Sequence, residues 1–121
     1  MDRLWAPWRK AYVSGEAAGE GCLFCRLLSE SDDRGNLILA RGERFFAVLN
    51  RYPYTNGHLM IVPNRHVPLF SDLEPSEGAA LLAGVSAAER AFSEVMRCGG
   101  INGGWNVGRC AGAGVEGHLH L

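Results

Sequence analysis

Between residues 37 and 63 three short apolar runs alternate with turn residues, and this spacing constrains the fold more than any other stretch of the chain. Leu37 to Ala40 and Arg44 to Leu49 are rich in aliphatic and aromatic side chains, and Arg41-Gly42-Glu43 between them is a hairpin signal. Pro53 and Gly57 punctuate a second turn, after which His58 to Val62 form a third run that Pro63 stops. Short runs joined in this way predict antiparallel strands.

The pattern then changes period. Leu81, Val85, Ala88, Phe92 and Val95 recur at steps of 4, 3, 4 and 3, with charged and polar residues between them, which predicts an amphipathic helix over about 76–97. Pro75 suits its first turn, and Gly99-Gly100 ends it. A fourth strand is expected at Trp105 to Gly108 and a fifth at Glu116 to Leu121. Together these elements predict an α+β domain with an antiparallel sheet of about five strands and one long helix. Residues 1–21 have no sustained period and carry Gly15, Gly19 and Gly21, so they read as an irregular arm, with 22–121 forming a single domain.

Charge and composition narrow the function classes. Twelve Lys and Arg against 13 Asp and Glu leave a formal charge of −1, which argues against a phosphate-neutralising surface and hence against nucleic acid as a partner. No apolar run reaches the roughly 18 residues of a membrane span. Met1 to Lys10 is charged and holds Trp5, Pro7 and Trp8 in place of an apolar signal core, so a cytoplasmic protein without membrane contact is expected. In a chain of that kind Cys22-x-x-Cys25 favours metal or redox chemistry over a disulfide framework, while Cys98 and Cys110 read as buried or free thiols.

The chemistry concentrates near the C-terminal end. Sixteen glycines are present in 121 residues, and they crowd into Gly99 to Gly117, directly before His118-Leu119-His120-Leu121. In an extended segment side chains two apart share a face, so His118 and His120 project together while Leu119 and Leu121 point to the core. Two readings of the imidazole pair remain open: both bind a metal, or one attacks a substrate. Glycines leave backbone N–H groups unobstructed, and successive N–H groups facing a concavity bind anions such as phosphate. Neutral imidazole is a competent nucleophile near neutrality, so a histidine beside a phosphate cradle suggests a covalent N–P intermediate.

Gly117-His118-Leu119-His120-Leu121, with Asn106-Val107-Gly108 and Ala111-Gly112-Ala113-Gly114-Val115, resembles the start of the signature of the histidine triad (HIT) family. The segment from Val48 through Asn50-Arg51-Tyr52-Pro53-Tyr54 and Gly57-His58-Leu59 to His66 resembles the same family's strand-turn-strand region. The opening Leu4-Trp5-Ala6-Pro7-Trp8-Arg9 points to the branch that contains diadenosine tetraphosphate phosphorylases.

The resemblance implies a HIT-like fold and a nucleotide hydrolase or nucleotidyltransferase that cleaves dinucleoside polyphosphates or nucleotide conjugates at the α-phosphate. It makes His120 the nucleophile and His118 the first histidine of the triad. It places Asn50 on the ribose hydroxyls, and Asn106 with the backbone of Gly112, Ala113, Gly114 and Val115 on the α-phosphate. Leu49, Phe45 and Phe46 are candidates for a base pocket or for core, and His58 for a structural partner beneath the site. Arg51, Arg65 and Arg109 are candidates for a second anion site that would admit inorganic phosphate as acceptor.

Cys22 and Cys25 need two further ligands for a closed tetrahedral zinc site, and some HIT proteins supply two histidines, here His66 and His118. Redox use is the rival, although no βαβ pattern follows Cys25. The resemblance also implies a homodimer. The sequence departs from the family's pattern in two places: the third histidine expected after His120 lies beyond Leu121, which reads as a truncated chain or impaired catalysis, and Ala113 and Gly114 stand where many relatives carry Ser and Gln side chains. A nucleotide-binding module without turnover is therefore the alternative to an enzyme, and a hydrolase using metal bound by both His118 and His120 is a third reading.

Overall fold

A computed structural model describes residues 21–51, 57–115 and 117–121. The expected arm apart from Gly21, the turn residues 52–56 and Glu116 lie outside the described residues.

Three strands follow one another in the sheet, β1 (Ile38–Arg41), β2 (Phe45–Leu49) and β3 (Leu59–Pro63), each antiparallel to its neighbour. Their limits fall within a residue or so of the expected ones. Alternation along β2 and β3 then separates two faces. Phe46, Val48, Met60 and Val62 join Ile38 in a cluster on one side, while Ala47 and Ile61, with Phe45 and Leu59 beside them, form a cluster on the other.

The first face is covered by a short helix, α1 (Leu23–Ser29), which sends Phe24 and Leu27 into the cluster. The sequence reading made no helix here, although Leu23, Phe24, Leu27 and Leu28 have helical spacing. A helix of seven residues is marginal alone and must be held by its surroundings. Its N-terminus is capped by Cys22, whose Sγ accepts the Cys25 N–H at 3.5 Å. At its other end Arg41 of β1 donates to the carbonyls of Leu27, Leu28 and Glu30 at 3.2, 2.9 and 2.6 Å and grips the Asp33 carboxylate.

The second face is covered by α2 (Pro75–Ala91), which buries Leu81 against Ala47 and Ile61. Helix and sheet meet closely at Gly84, where an added methyl would lie 2.8 Å from the Phe45 ring and 3.2 Å from Ile61. Glu77, buried in the first turn, accepts the Glu74 N–H at 2.8 Å and takes two hydrogen bonds from Arg65, at 2.8 Å from Nε and 2.7 Å from Nη2. These bonds hold its carboxyl down at about 2. Arg65, one of the three candidates for a second anion site, also donates to the Asp72 carbonyl, so its guanidinium is engaged at the start of α2.

The long helix ends sooner than the expected 97. From Phe92 to Met96 it widens into a π turn, and Arg97 follows in the left-handed region. The wider turn packs Met96 and Phe92 over Gly57, itself at φ 79°, where a methyl would lie 2.9 Å from Met96 Sδ and 3.3 Å from the Phe92 ring. Hydrophobic period alone does not distinguish such a turn from a continued α-helix.

Five strands are not found among the described residues. The run from Trp105 to Gly108 takes no regular secondary structure; Trp105 instead sets its ring edge-on against Phe70, centroids 4.8 Å apart, and the chain enters a 3₁₀ turn at Arg109–Ala111. The C-terminal segment does lie beside β3, but its ladder reduces to one reciprocal antiparallel pair, Leu121 N–H to Ile61 O at 3.0 Å and Ile61 N–H to Leu121 O at 3.1 Å. No helix among the described residues is long and apolar enough to cross a membrane.

Candidate metal centre and histidine face

The pairing of Leu121 with Ile61 fixes which way the last residues point. Leu121 joins the α2 face, so His118 and His120 fall on the α1 face, and both imidazoles pack against Phe24 with centroids 5.4 and 4.9 Å away. The shared face expected from their spacing is realised. His118 is wholly buried, however, as deeply as any apolar side chain of the core.

Burying an imidazole requires partners for its polar atoms. His118 Nε2–H donates to the Pro63 carbonyl at 2.7 Å, which leaves the lone pair on Nδ1. That lone pair points at Cys22 Sγ (3.3 Å), Cys25 Sγ (3.6 Å) and His66 Nδ1 (3.3 Å), and His66 Nδ1 lies 3.4 Å from Cys25 Sγ. All four donor atoms lie within 4.8 Å of one another. Burial and the neighbouring His66 and His120 push the His118 imidazole toward its neutral form, despite the Pro63 bond. Burial together with the Cys22 thiol pushes the Cys25 thiol up.

The distances provide a test of fit. Zinc bonds of about 2.3 Å to sulfur and 2.05 Å to nitrogen, at tetrahedral angles, place two nitrogens about 3.3 Å apart and a nitrogen and a sulfur about 3.6 Å apart. The observed 3.3 Å between nitrogens and 3.3 to 3.6 Å between nitrogen and sulfur match that geometry. The Pro63 carbonyl supplies the outer partner that orients a ligating histidine. Gly117 passes close enough to His66 that a methyl there would lie 3.3 Å from Nε2, so a side chain at this position would press on the His66 ring. The donor set can therefore hold a zinc ion, joining α1 to the end of β3 and to the C-terminal segment. His120 is not part of it. The reading in which both imidazoles bind metal does not match this arrangement.

His120 is half-buried, and its Nδ1–H donates to the carbonyl of His118 at 3.0 Å, which sets the basic lone pair on Nε2. At the same sheet face, the β2–β3 ladder continues one pair further, with the Asn50 N–H donating to the His58 carbonyl at 2.9 Å. Alternation carries the side chains of Asn50 and His58 to the Val48 and Met60 side. Asn50 is buried, and its Nδ2 is 3.4 Å from both nitrogens of His58. A point equidistant from both cannot lie in the ring plane without colliding with Cε1, so the amide sits over the imidazole face.

Other expected site residues fall differently. In the glycine-rich run, the N–H groups of Gly112 and Ala113 are taken by the carbonyls of Arg109 and Gly108, at 3.0 and 3.2 Å, whereas those of Gly114 and Val115 have no carbonyl partner among the described residues. Ala113 itself is buried, and Val115 packs against the α1-face cluster. Asn106 is exposed and makes no hydrogen bond to His118 or His120 among the described residues. Strand alternation divides the residues read as base pocket or core: Phe46 is completely buried against Phe24, Phe45 packs on the α2-face cluster, and Leu49 alternates to the same side as Phe45. Arg51 donates to the Gly35 carbonyl at 2.8 Å, and Arg109 opens the 3₁₀ turn. Cys98 and Cys110 are exposed free thiols. Phe24 is the site residue that sequence reasoning missed, because an isolated Phe in a short helix carries no chemical signature.

A three-stranded sheet with one such histidine face and a Cys/His cluster defines a small class of domains, and comparison with known proteins assigns it. The chain belongs to the HIT domain family, whose model matches residues 34–121. It is similar to the AP-4-A phosphorylase of Mycobacterium tuberculosis, with 39% identity over 100% of this chain and 66% of the relative, so it spans just under two thirds of that protein. It is also similar to the asymmetrical bis(5'-nucleosyl)-tetraphosphatase of Schizosaccharomyces pombe, at 31% identity over 72% of this chain and 47% of the relative. Among solved structures, a Zn-bound histidine triad family protein from Mycobacterium smegmatis superposes with a TM-score of 0.69 at 29% identity, over 83% of this chain and 72% of that one. A HIT family protein of Bacillus subtilis superposes at 0.73 with 23% identity, over 84% and 70%, and shares the fold.

Proposed function

We propose that the chain is the nucleotide-processing part of a HIT enzyme in which His120 Nε2 attacks the α-phosphorus of a dinucleoside polyphosphate. The observation that carries this reading is the hydrogen bond from His120 Nδ1–H to the His118 carbonyl at 3.0 Å, which holds the nucleophilic tautomer on the face that also bears the buried Asn50. A fixed tautomer is what a nucleophilic imidazole needs.

In the first step an N–P bond forms at His120 Nε2 and the bond from the α-phosphorus to its bridging oxygen breaks, releasing the remainder of the polyphosphate. In the second an oxygen of inorganic phosphate attacks the same phosphorus and the N–P bond breaks. With diadenosine tetraphosphate the products are ATP from the first step and ADP from the second. Asn50 takes the ribose hydroxyls, since its amide both donates and accepts. Gly114 and Val115 present backbone N–H groups to the α-phosphate, with Gly112 and Ala113 shaping the turn and Asn106 approaching from the exposed segment. Zinc held by Cys22, Cys25, His66 and His118 has a structural part, fixing α1 against the histidine segment.

Similarity to the phosphorylase and the tetraphosphatase supports both this substrate class and the choice of acceptor to be tested. The test is product analysis on diadenosine tetraphosphate with and without inorganic phosphate. Phosphate-dependent ADP plus ATP is expected; AMP released without phosphate points to a hydrolase, and bound but intact nucleotide to a binding module without turnover. The homodimer implied by family resemblance would have exposed apolar surface at Leu82 and Val95, and sedimentation of the chain measures it.

A further inference from the structure

The hydrogen bond at Nδ1 restrains the plane of the His120 ring only within the tolerance of a single N–H···O contact, because the torsion that turns an imidazole about its Cβ–Cγ bond has a broad minimum. A neighbouring surface narrows that range and aims Nε2. One such surface is Phe24. It has no solvent exposure, its centroid lies 4.9 Å from that of His120 with the rings inclined at 45°, and the same ring meets His118 at 5.4 Å and Phe46 at 6.3 Å.

We propose that Phe24 is a positioning residue for His120, and that α1 exists to hold it there. Phe24 stands between Cys22 and Cys25, in the turn whose two thiols reach the His66 and His118 ring nitrogens. At the opposite end of the helix, Arg41 ties three backbone carbonyls to β1. The Phe24 ring is therefore fixed from both sides, through the Cys/His cluster and through the arginine clamp, and it passes that order to the imidazole by contact. Misplacing a reacting group by about 1 Å can cost about a hundredfold in rate, so a ring that only limits rotation is enough to matter.

The experiment is nitrogen-15 NMR of the histidine rings in the purified chain, with metal content matched between samples. In the unsubstituted protein His120 is expected to show the Nδ1–H tautomer and a nuclear Overhauser contact between its ring and the Phe24 ring; absence of that contact overturns the proposal. In Phe24→Leu the His120 signals are expected to move toward a tautomer average, and adduct formation to slow about tenfold or more with KM unchanged within about twofold. Leu81→Ala weakens the opposite face without touching α1 or the ring and is expected to leave the His120 signals in place. Unchanged His120 signals in Phe24→Leu, or an equal change in Leu81→Ala, overturns the proposal. If Phe24→Leu fails to fold, Phe24→Tyr retains the ring and is expected to keep the wild-type His120 pattern; loss of that pattern in a folded Phe24→Tyr overturns it. The kinetic arm rests on the nucleotidyl transfer proposed above and the NMR arm does not, so a protein that forms no adduct defeats that reading while leaving Phe24 to be judged on its spectra.

Discussion

The two faces of the sheet solve the same problem by different means. On one face α2 lays 17 residues across β2 and β3 and buries Leu81 against Ala47 and Ile61, an ordinary apolar interface closed at Gly84. The other face is covered by seven residues of α1, too few to be stable on apolar burial alone. There the deficit is met by polar devices: the Cys22 cap, the Arg41 clamp and the Cys/His cluster. The contrast teaches where chemistry can be placed. A face held by directional bonds keeps imidazoles buried and oriented, whereas an apolar face would have to exclude them.

The sharpest way to break this contrast is to remove the cluster. Cys25→Ser or chelation is expected to release bound zinc and destabilise the fold by about 3 kcal/mol or more, because metal binding to a site absent from the unfolded chain counts as folding energy. Metal analysis with thermal unfolding measures both effects, and a metal-free protein with unchanged melting contradicts the account. On the opposite face Leu81→Ala is expected to cost about 2–5 kcal/mol through lost burial and a residual cavity, with zinc content unaltered. Gly84→Ala should cost less, about 1–3 kcal/mol, since the methyl must push aside the Phe45 ring.

The smallest expected effect concerns pH. Glu77 has a folded-state value of about 2 against an ordinary 4.5, so the unfolded chain binds the proton first as pH falls. Its contribution is fully present above the unfolded value and is lost between there and about 2. Unfolding curves of wild type and Glu77→Gln between neutrality and acid should therefore converge as the pH drops; a constant gap would show that the Arg65 pair acts through packing alone.

The α2 face was largely legible from sequence, because alternation in β2 and β3 and the 3.6 period of α2 are periodic signals. Legibility failed where a local feature depended on a distant one. The π turn at Phe92–Met96 packs on Gly57, a contact that no helical pattern contains. Helix α1 is specified by Arg41 and by the cluster more than by its own seven residues. Phe45, Phe46 and Leu49 looked alike as base-pocket candidates until strand alternation divided them between the two faces. The grouping of Cys22, Cys25, His66 and His118 was readable only through family resemblance, since ligand spacing of 41 to 96 residues carries no local pattern. The glycine run was legible as a source of unobstructed backbone donors but not in their use: two of the four N–H groups from Gly112 to Val115 close turns.

The central claim, that the α1 face exists to present His120 as a nucleophile, is tested most directly by trapping its product. The protein is mixed with diadenosine tetraphosphate labelled at the α-phosphate, quenched in base to preserve a phosphoramidate, and digested for mass spectrometry. The account predicts an acid-labile, base-stable nucleotidyl group on the peptide containing His120, absent from His120→Ala, which should still bind nucleotide within about tenfold of wild type. Turnover by His120→Ala, or a label found on another residue, would contradict it.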